Sequence, residues 1–193
     1  MNLHRSLPWA LVWLRLLLAP MMLLLAWAWP EPAAFALCLA LAFLSDIFDG
    51  VLARRWGTVT PSLRRVDSFV DTLFCLSALG AVWLCRPEVV RGSASLLVAL
   101  LVLEALRYAV DLSKFGREAS YHMWSAKLWA AVLYLAFFMV LAGGQGGVWV
   151  TAALLLGIVS DLEGLAASLL LPEWRHDVPS LLHAWRLRRP QGS

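Results

Sequence analysis

Apolar stretches of about twenty residues recur six times along this 193-residue chain, and each is long enough to cross a bilayer as a helix. Hydrophobic residues make up 61% of the chain and charged residues 15%, a composition typical of polytopic membrane proteins rather than soluble domains. We therefore predict an all-α integral membrane protein with six transmembrane helices in a single domain, residues 1–193. The predicted spans are Pro8–Trp29, Ala33–Ala53, Phe69–Cys85, Ser93–Leu112, Met123–Leu141 and Val148–Leu171.

The basic residues between these stretches are distributed unevenly. If the spans alternate, one side of the membrane carries only Arg86 and Arg91. On the other side lie Arg54, Arg55, Arg64, Arg65, Lys114, Arg117, Arg175, Arg186, Arg188 and Arg189. Because basic loops stay in the cytoplasm, this bias predicts that both termini are cytoplasmic. The basic, amphipathic tail at about 173–193 is predicted to lie on an anionic leaflet.

The first apolar stretch has one alternative interpretation. Ala26 to Ala28 imitates the small-residue cleavage site of a signal peptide. However, Arg15 interrupts the apolar region and the stretch is long for a signal peptide, so a first transmembrane helix is favoured.

Four aspartates stand in or at the ends of apolar stretches, where carboxylates are costly and usually mark a site. They are Asp46, Asp49, Asp67 and Asp71. On a helix, residues three or four apart share a face, so each predicted helix presents one pair. The second span ends and the third begins on the same side, which places all four at one depth, facing the cytoplasm. Crowded carboxylates must protonate or bind cations, and an oxygen-rich set suits Mg²⁺ (or Mn²⁺), with two ions expected.

These aspartates belong to a longer pattern. The run from Asp46 to Arg54 reads Asp-x-x-Asp-Gly-x-x-Ala-Arg, and Asp67 and Asp71 follow it. This pattern closely resembles the signature of the CDP-alcohol phosphotransferases, and the stretch from Ser6 to Pro20 resembles the entry to that family's first membrane helix. Family members are membrane enzymes that transfer a phosphatidyl or similar phosphoalcohol group from a CDP-linked donor to an alcohol, releasing CMP.

The resemblance implies roles for individual residues. Asp46, Asp49 and Asp67 are expected to hold the metal ions, and Asp71 to serve as ligand and as general base for the acceptor hydroxyl. Arg54, one turn beyond Asp49, is expected to point at the donor phosphates. Gly50 and Ala53 keep that helix face thin enough for the nucleotide. The resemblance also implies a CDP-linked lipid donor such as CDP-diacylglycerol, a role in phospholipid biosynthesis, and a homodimer in the bacterial inner membrane.

One position departs from the family pattern. The family has a second glycine four residues before the third aspartate, where this chain has Leu63. Glycine permits close approach of the backbone to a ligand, whereas leucine adds a branched side chain. Leu63 is therefore expected either to reshape donor binding or to mark reduced activity.

The acceptor is indicated by cations near the fourth and fifth spans. Arg107, Arg117 and Lys127 are expected to form a recess for an acceptor phosphate or the donor pyrophosphate. Arg107 has alternative partners in Glu104, three residues before it, and in Asp161 or Glu163 of the last span. The basic cluster resembles that of family members that take glycerol 3-phosphate, which is the first choice of acceptor. Inositol phosphate, serine and other alcohols stay open, and no nucleic-acid partner is expected.

Two further function classes compete with the enzyme. Acidic residues in membranes also serve cation transporters, but a transporter predicts carboxylates spread along the membrane depth. Here they are concentrated at one level. The other alternative is a degenerate family member that binds a nucleotide lipid without turnover, for which Leu63 is the support.

Overall fold

In a computed structural model, the chain is described over residues 3–117, 121, 123–174 and 178–188, with side chains from residue 6 to residue 187 of these ranges. The described residues form helices and connecting turns, without a strand. The eight helices are α1 (Leu3–Ala28), α2 (Pro32–Arg55), α3 (Pro61–Cys85), α4 (Pro87–Gly92), α5 (Ala94–Phe115), α6 (Trp124–Leu141), α7 (Val148–Leu170) and α8 (Leu181–Arg188). The all-α prediction is confirmed.

Six of these helices overlap the predicted spans, although α3 begins eight residues before the predicted Phe69, and five of the six are both long and apolar enough to cross a membrane. The five are α1, α2, α3, α6 and α7. The sixth, α5, has 22 residues, about 33 Å at the helical rise per residue. From its middle to its C-terminal end it carries four charged residues, Glu104, Arg107, Asp111 and Lys114. The length of α5 is therefore sufficient for a membrane span, but its composition does not meet the criterion that the other five helices meet.

The chain divides into two compact units. The first unit consists of Met1–Arg91 and Phe137–Gly146, and the second of Gly92–Ala136 and Gly147–Ser193. In the first unit α1 packs against both α2 and α3. In the second unit α5 and α8 pack against α7.

The turn between α2 and α3 is specified by local sequence. Gly57 has a φ of +61°, the left-handed conformation that commonly ends a helix. The N–H of Thr58 donates to the carbonyl oxygen of Ala53 at 2.9 Å, which closes the last turn of α2. Thr60 then caps α3, accepting a hydrogen bond from the N–H of Leu63 at 3.1 Å, and Pro61 occupies the first turn. This short reversal brings the end of α2 beside the start of α3.

An apolar cluster of α1, α2 and α3 supports the same region of the first unit. Its buried members are Val12, Ala53, Leu63 and Val70. Each helix contributes at least one side chain, so the cluster fixes how these helices pack where α2 ends and α3 begins. We refer to these four residues as the first-unit cluster.

The second unit is held together by polar contacts near the C-terminal ends of α5 and α7. Lys114 Nζ donates to the carbonyl oxygens of Ser168 and Leu169, at 2.8 and 3.0 Å, and so satisfies the end of α7. Ser168 also donates to the buried carboxylate of Asp111 and lies 3.0 Å from the hydroxyl of Tyr121. Burial raises the pKa of Tyr121, so its hydroxyl stays protonated at neutral pH. These contacts give Asp111 and Lys114 of α5 partners inside the unit.

Candidate active site

Three helices of the first unit position the candidate site. Asp46 and Asp49 lie in the second half of α2, and Asp67 and Asp71 lie in the first half of α3. Because each pair is spaced by three or four residues, both members face the neighbouring helix. The structure brings all four carboxylates together around one side chain of α1, that of Arg15.

Arg15 forms an ion pair with every one of these aspartates. Its Nη1 donates to Oδ1 of Asp46 at 2.8 Å and to Oδ1 of Asp71. Its Nη2 donates to Oδ1 of Asp67 at 2.7 Å and to Oδ2 of Asp49. A guanidinium offers donors in a planar fork, which is why one side chain can reach carboxylates on two helices. The site is therefore a set of four carboxylates around one fixed cation.

The four carboxylates differ in exposure. The side chain of Asp49 is 5% exposed, whereas those of Asp46, Asp67 and Asp71 are 38%, 30% and 35% exposed. Arg15 is fully buried. Asp49 and Arg15 thus form the floor of the site, and the other three carboxylates form a rim that a ligand can reach.

The oxygen atoms are close enough to share a metal ion. One carboxylate oxygen from each of Asp46, Asp49 and Asp67 lies within 4.8 Å of the others. An all-carboxylate set, open on one side to water and substrate oxygens, is the kind of ligand set that Mg²⁺ and Mn²⁺ prefer. These three aspartates could therefore hold a divalent ion, and they are three of the four predicted ligands.

The residues predicted to bind the donor lie on the last turns of α2. A Cβ placed on Gly50 would lie 3.4 Å from Nη1 of Arg54, so the guanidinium of Arg54 lies alongside Gly50. Arg54 is exposed, whereas Ala53 is buried in the first-unit cluster. Arg54 therefore offers an exposed cation beside Gly50, whereas Ala53 contributes to the packing of the first-unit cluster.

Leu63 lies on the packed side of α3. Its side chain is buried with Val12, Ala53 and Val70 in the first-unit cluster. A glycine at this position would leave that space unfilled unless a neighbouring side chain moved. Where the family pattern has a glycine, this chain therefore has Leu63, whose side chain packs between the helices that carry the aspartates.

The cations predicted to bind the acceptor lie in the second unit, where each has a different partner. Nε of Arg107 lies 3.3 Å from Oδ1 of Asp161 on α7. The guanidinium of Arg117 stacks over the ring of Trp174, 3.8 Å from its centroid, and Nζ of Lys127 lies 4.7 Å from the ring centroid of Trp124. Arg117 and Lys127 are exposed, so their charges are available to a ligand.

The sequence interpretation missed the role of Arg15 in the site. Arg15 entered that interpretation only as an interruption of an apolar stretch. A signal was nevertheless present, because an arginine in the middle of a transmembrane helix requires a partner of opposite charge. The four aspartates of the neighbouring helices were the available partners.

Comparison with known protein families identifies the family of this chain. The family model for CDP-alcohol phosphatidyltransferases matches residues 5–159, which is well over half of the chain. This range contains Arg15 and all four aspartates. No curated protein and no solved structure matches the chain.

Proposed function

Because the chain belongs to the CDP-alcohol phosphatidyltransferase family, we propose that it transfers a phosphatidyl group from CDP-diacylglycerol to a small alcohol and releases CMP. The family implies transfer of a phosphate-containing alcohol group from a CDP-alcohol. For this chain, the proposal is supported by the position of four carboxylates from α2 and α3, which all contact the side chain of Arg15. Carboxylates so arranged suit the binding of divalent ions and the removal of a proton.

The metal requirement is part of this proposal. We propose that Asp46, Asp49 and Asp67 hold Mg²⁺ or Mn²⁺, in a site that takes two ions with Asp71 as a further ligand. When bound, such ions neutralise the charge of the pyrophosphate and of the leaving nucleotide. The partly exposed rim of the site leaves room for phosphate oxygens to complete the coordination.

The reaction needs a proton acceptor, and Asp71 is the proposed one. Its side chain is 35% exposed and can therefore be reached by an acceptor hydroxyl. The hydroxyl oxygen forms a bond to the phosphorus that bears the lipid, the bond from that phosphorus to the CMP oxygen breaks, and the hydroxyl proton passes to the Asp71 carboxylate. Arg54, exposed beside Gly50, is proposed to bind the donor phosphates.

For the acceptor we propose glycerol 3-phosphate. Arg117 and Lys127 are exposed cations held over aromatic rings, and such cations suit a phosphorylated alcohol. Arg107 is proposed to take part in the same recognition, although it also pairs with Asp161. Inositol phosphate, which also carries a phosphate, and unphosphorylated alcohols such as serine are the competing acceptors.

The membrane topology follows from the same proposal. We propose that α5 spans the membrane with the five more apolar helices, because its Arg107, Asp111 and Lys114 have partners within the second unit. Six spans with the basic loops inside place both termini and the aspartates on the cytoplasmic side, where nucleotide-linked donors and free Mg²⁺ are found. A homodimer in a bacterial inner membrane is proposed from the family resemblance.

A cation transporter is less well supported. The carboxylates are concentrated around the fully buried guanidinium of Arg15. A permanent positive charge in the middle of the carboxylate set opposes the passage of cations. We therefore keep the transporter only as an outcome to be tested.

The test of the proposed function is to identify the lipid product. The purified protein in nanodiscs is incubated with CDP-diacylglycerol and Mg²⁺ and with one acceptor at a time, and the lipids are identified by mass spectrometry. Phosphatidylglycerophosphate formed only with glycerol 3-phosphate is the expected product. It should be absent with Asp46→Asn and present with Glu31→Gln, which changes an exposed carboxylate at the opposite end of α2. Failure of the folded wild-type protein to form a lipid with any acceptor would leave the non-catalytic binder as the better account.

A further inference from the structure

Arg15 contacts only one of the two oxygen atoms of each carboxylate with which it pairs. Its hydrogen bonds use one oxygen of every aspartate: Oδ1 of Asp46, Oδ2 of Asp49, Oδ1 of Asp67 and Oδ1 of Asp71. The second oxygen of each carboxylate accepts no hydrogen bond from Arg15. The same four side chains can therefore be shared between Arg15 and a second cation.

The charges of this set do not balance. With the carboxylates ionised, four negative charges face one positive charge, so the set around Arg15 carries a net charge of −3 (−4 + 1). Arg15 cannot lose its proton in a protein, so its charge is permanent. It is also fully buried, which prevents it from turning out into solvent without a change in the packing of α1.

We propose that Arg15 is a built-in counter-cation that competes with divalent ions for the four aspartates and so sets the affinity of the site for metal. This inference rests on the proposed metal site, and it adds a residue of α1 to a site whose other members lie on α2 and α3. Arg15 reduces the mutual repulsion of the carboxylates and holds α2 and α3 together. Its positive charge, a few ångströms from the metal ligands, also weakens the attraction of any divalent ion.

Two opposite effects follow from this role, and both can be measured without turnover. Removing the charge should make metal binding tighter, because a positive charge beside the ions is lost. It should also make the metal-free protein less stable, because the four carboxylates then repel one another without a neutralising partner. A side chain that merely fills space in α1 would not produce tighter metal binding.

The substitutions separate charge from packing. Arg15→Gln removes the charge but keeps a polar side chain of moderate length. Arg15→Lys keeps the charge and loses the planar fork, so its metal affinity should lie close to that of the wild-type protein. The matched control is Arg64→Gln, which removes one positive charge from an exposed position on α3.

The experiment is a titration of each purified protein in nanodiscs with Mn²⁺ in the absence of donor and acceptor, with free Mn²⁺ followed by electron paramagnetic resonance. We expect Arg15→Gln to bind Mn²⁺ about tenfold more tightly than the wild-type protein. Arg15→Lys and Arg64→Gln should stay within about threefold of it. Thermal unfolding, followed by tryptophan fluorescence, should occur at a lower temperature for Arg15→Gln in EDTA, and saturating Mn²⁺ should close most of that gap.

Equal or weaker Mn²⁺ binding by folded Arg15→Gln would overturn the proposal. If Arg15→Gln does not fold, an affinity of Arg15→Lys that differs from wild type by more than about threefold would overturn it instead. The outcome is separable from that of the proposed function, because Mn²⁺ binding is measured without CMP release. A protein that binds Mn²⁺ as expected but forms no lipid would refute the transferase and leave the role of Arg15 standing.

Discussion

Arg107 and Asp161 form an ion pair between α5 and α7, with 3.3 Å between Nε of Arg107 and Oδ1 of Asp161. A glycine lies beside the pair on α7, because a Cβ on Gly164 would be 3.0 Å from Cδ of Arg107. The side chain of Asp161 is 7% exposed. The charges of Arg107 and Asp161 therefore neutralise each other inside the second unit, as expected of a buried charge in a membrane protein.

Removal of only one member of this pair should destabilise the protein. We expect Arg107→Gln to lower the free energy of unfolding by about 2 kcal/mol, because it leaves Asp161 buried without its cation. The double variant Arg107→Gln/Asp161→Asn should regain more than half of this loss. The measurement is reversible unfolding in mixed micelles, with the exposed Arg55→Gln as control. A double variant as unstable as the single one would show that the pair does not account for the loss.

The same double variant separates structure from acceptor binding. If Arg107 also binds the acceptor phosphate, as proposed, the double variant should recover stability but not acceptor binding. Its KM for glycerol 3-phosphate should remain at least about tenfold higher than that of the wild-type protein. Steady-state kinetics of CMP release measure that KM. A KM that returns to the wild-type value would remove Arg107 from the acceptor site.

Leu63 should matter more for stability than for donor binding. Its side chain is buried with Val12, Ala53 and Val70. Truncation of a buried leucine to alanine costs about 2–5 kcal/mol through the cavity that it leaves. We expect Leu63→Ala to fall in this range and Leu84→Ala, at an exposed position on α3, to cost much less. Unfolding and donor KM are measured side by side, and a stable Leu63→Ala with a donor KM changed tenfold would place Leu63 in the donor pocket.

The tail is proposed to lie on the membrane through α8. The N–H of Leu181 donates to Oε1 of Glu163 at 3.0 Å, which ties the start of α8 to α7. Leu182 and Trp185 are 68% and 46% exposed, and the exposed Arg186 follows them on the same face. Residues 175–177 and 189–193 of the predicted tail lie outside the described part of the chain. An exposed face that combines apolar and basic side chains suits an anionic lipid surface.

A nitroxide on Leu182→Cys tests this placement. The three native cysteines are replaced by serine, and the accessibility of the label to oxygen and to a water-soluble nickel chelate is compared in two kinds of vesicle. With phosphatidylglycerol present the label should become protected from the chelate, and with phosphatidylcholine alone it should be less protected. The added substitution Arg186→Glu should reduce the difference between the vesicles. Equal protection in both vesicles would contradict an electrostatic role for the tail.

Much of the site could be predicted because its information is local. The spacing of Asp46 and Asp49, and of Asp67 and Asp71, assigns each pair to one helical face. Because the α2–α3 connection is short, it also brings the two pairs together.

The start of α3 at Pro61 instead of Phe69 has a physical reason. Hydropathy detects only apolar residues, whereas the helix begins at the cap formed by Thr60, several polar residues earlier.

The rest of the site depends on packing between distant segments. Arg15 contacts Asp71 across 56 residues of sequence, and no local periodicity encodes which face of α1 meets α2 and α3. The partner of Arg107 could not be chosen from the sequence for the same reason. Glu104 is close to it in sequence, but the ion pair is formed with Asp161 on α7. Such pairings could be stated as alternatives from the sequence, but the choice among them required the packed structure.

Phosphatidyl transfer by this carboxylate set can be tested by measuring CMP release by the wild-type protein and by Asp71→Asn in the same nanodiscs. With CDP-diacylglycerol and glycerol 3-phosphate, we predict release that requires both Mg²⁺ and acceptor, that EDTA abolishes, and that falls at least about 100-fold in folded Asp71→Asn. Release that continues at the wild-type rate in Asp71→Asn, or no release by the folded wild-type protein with any acceptor, would contradict phosphatidyl transfer by this carboxylate set.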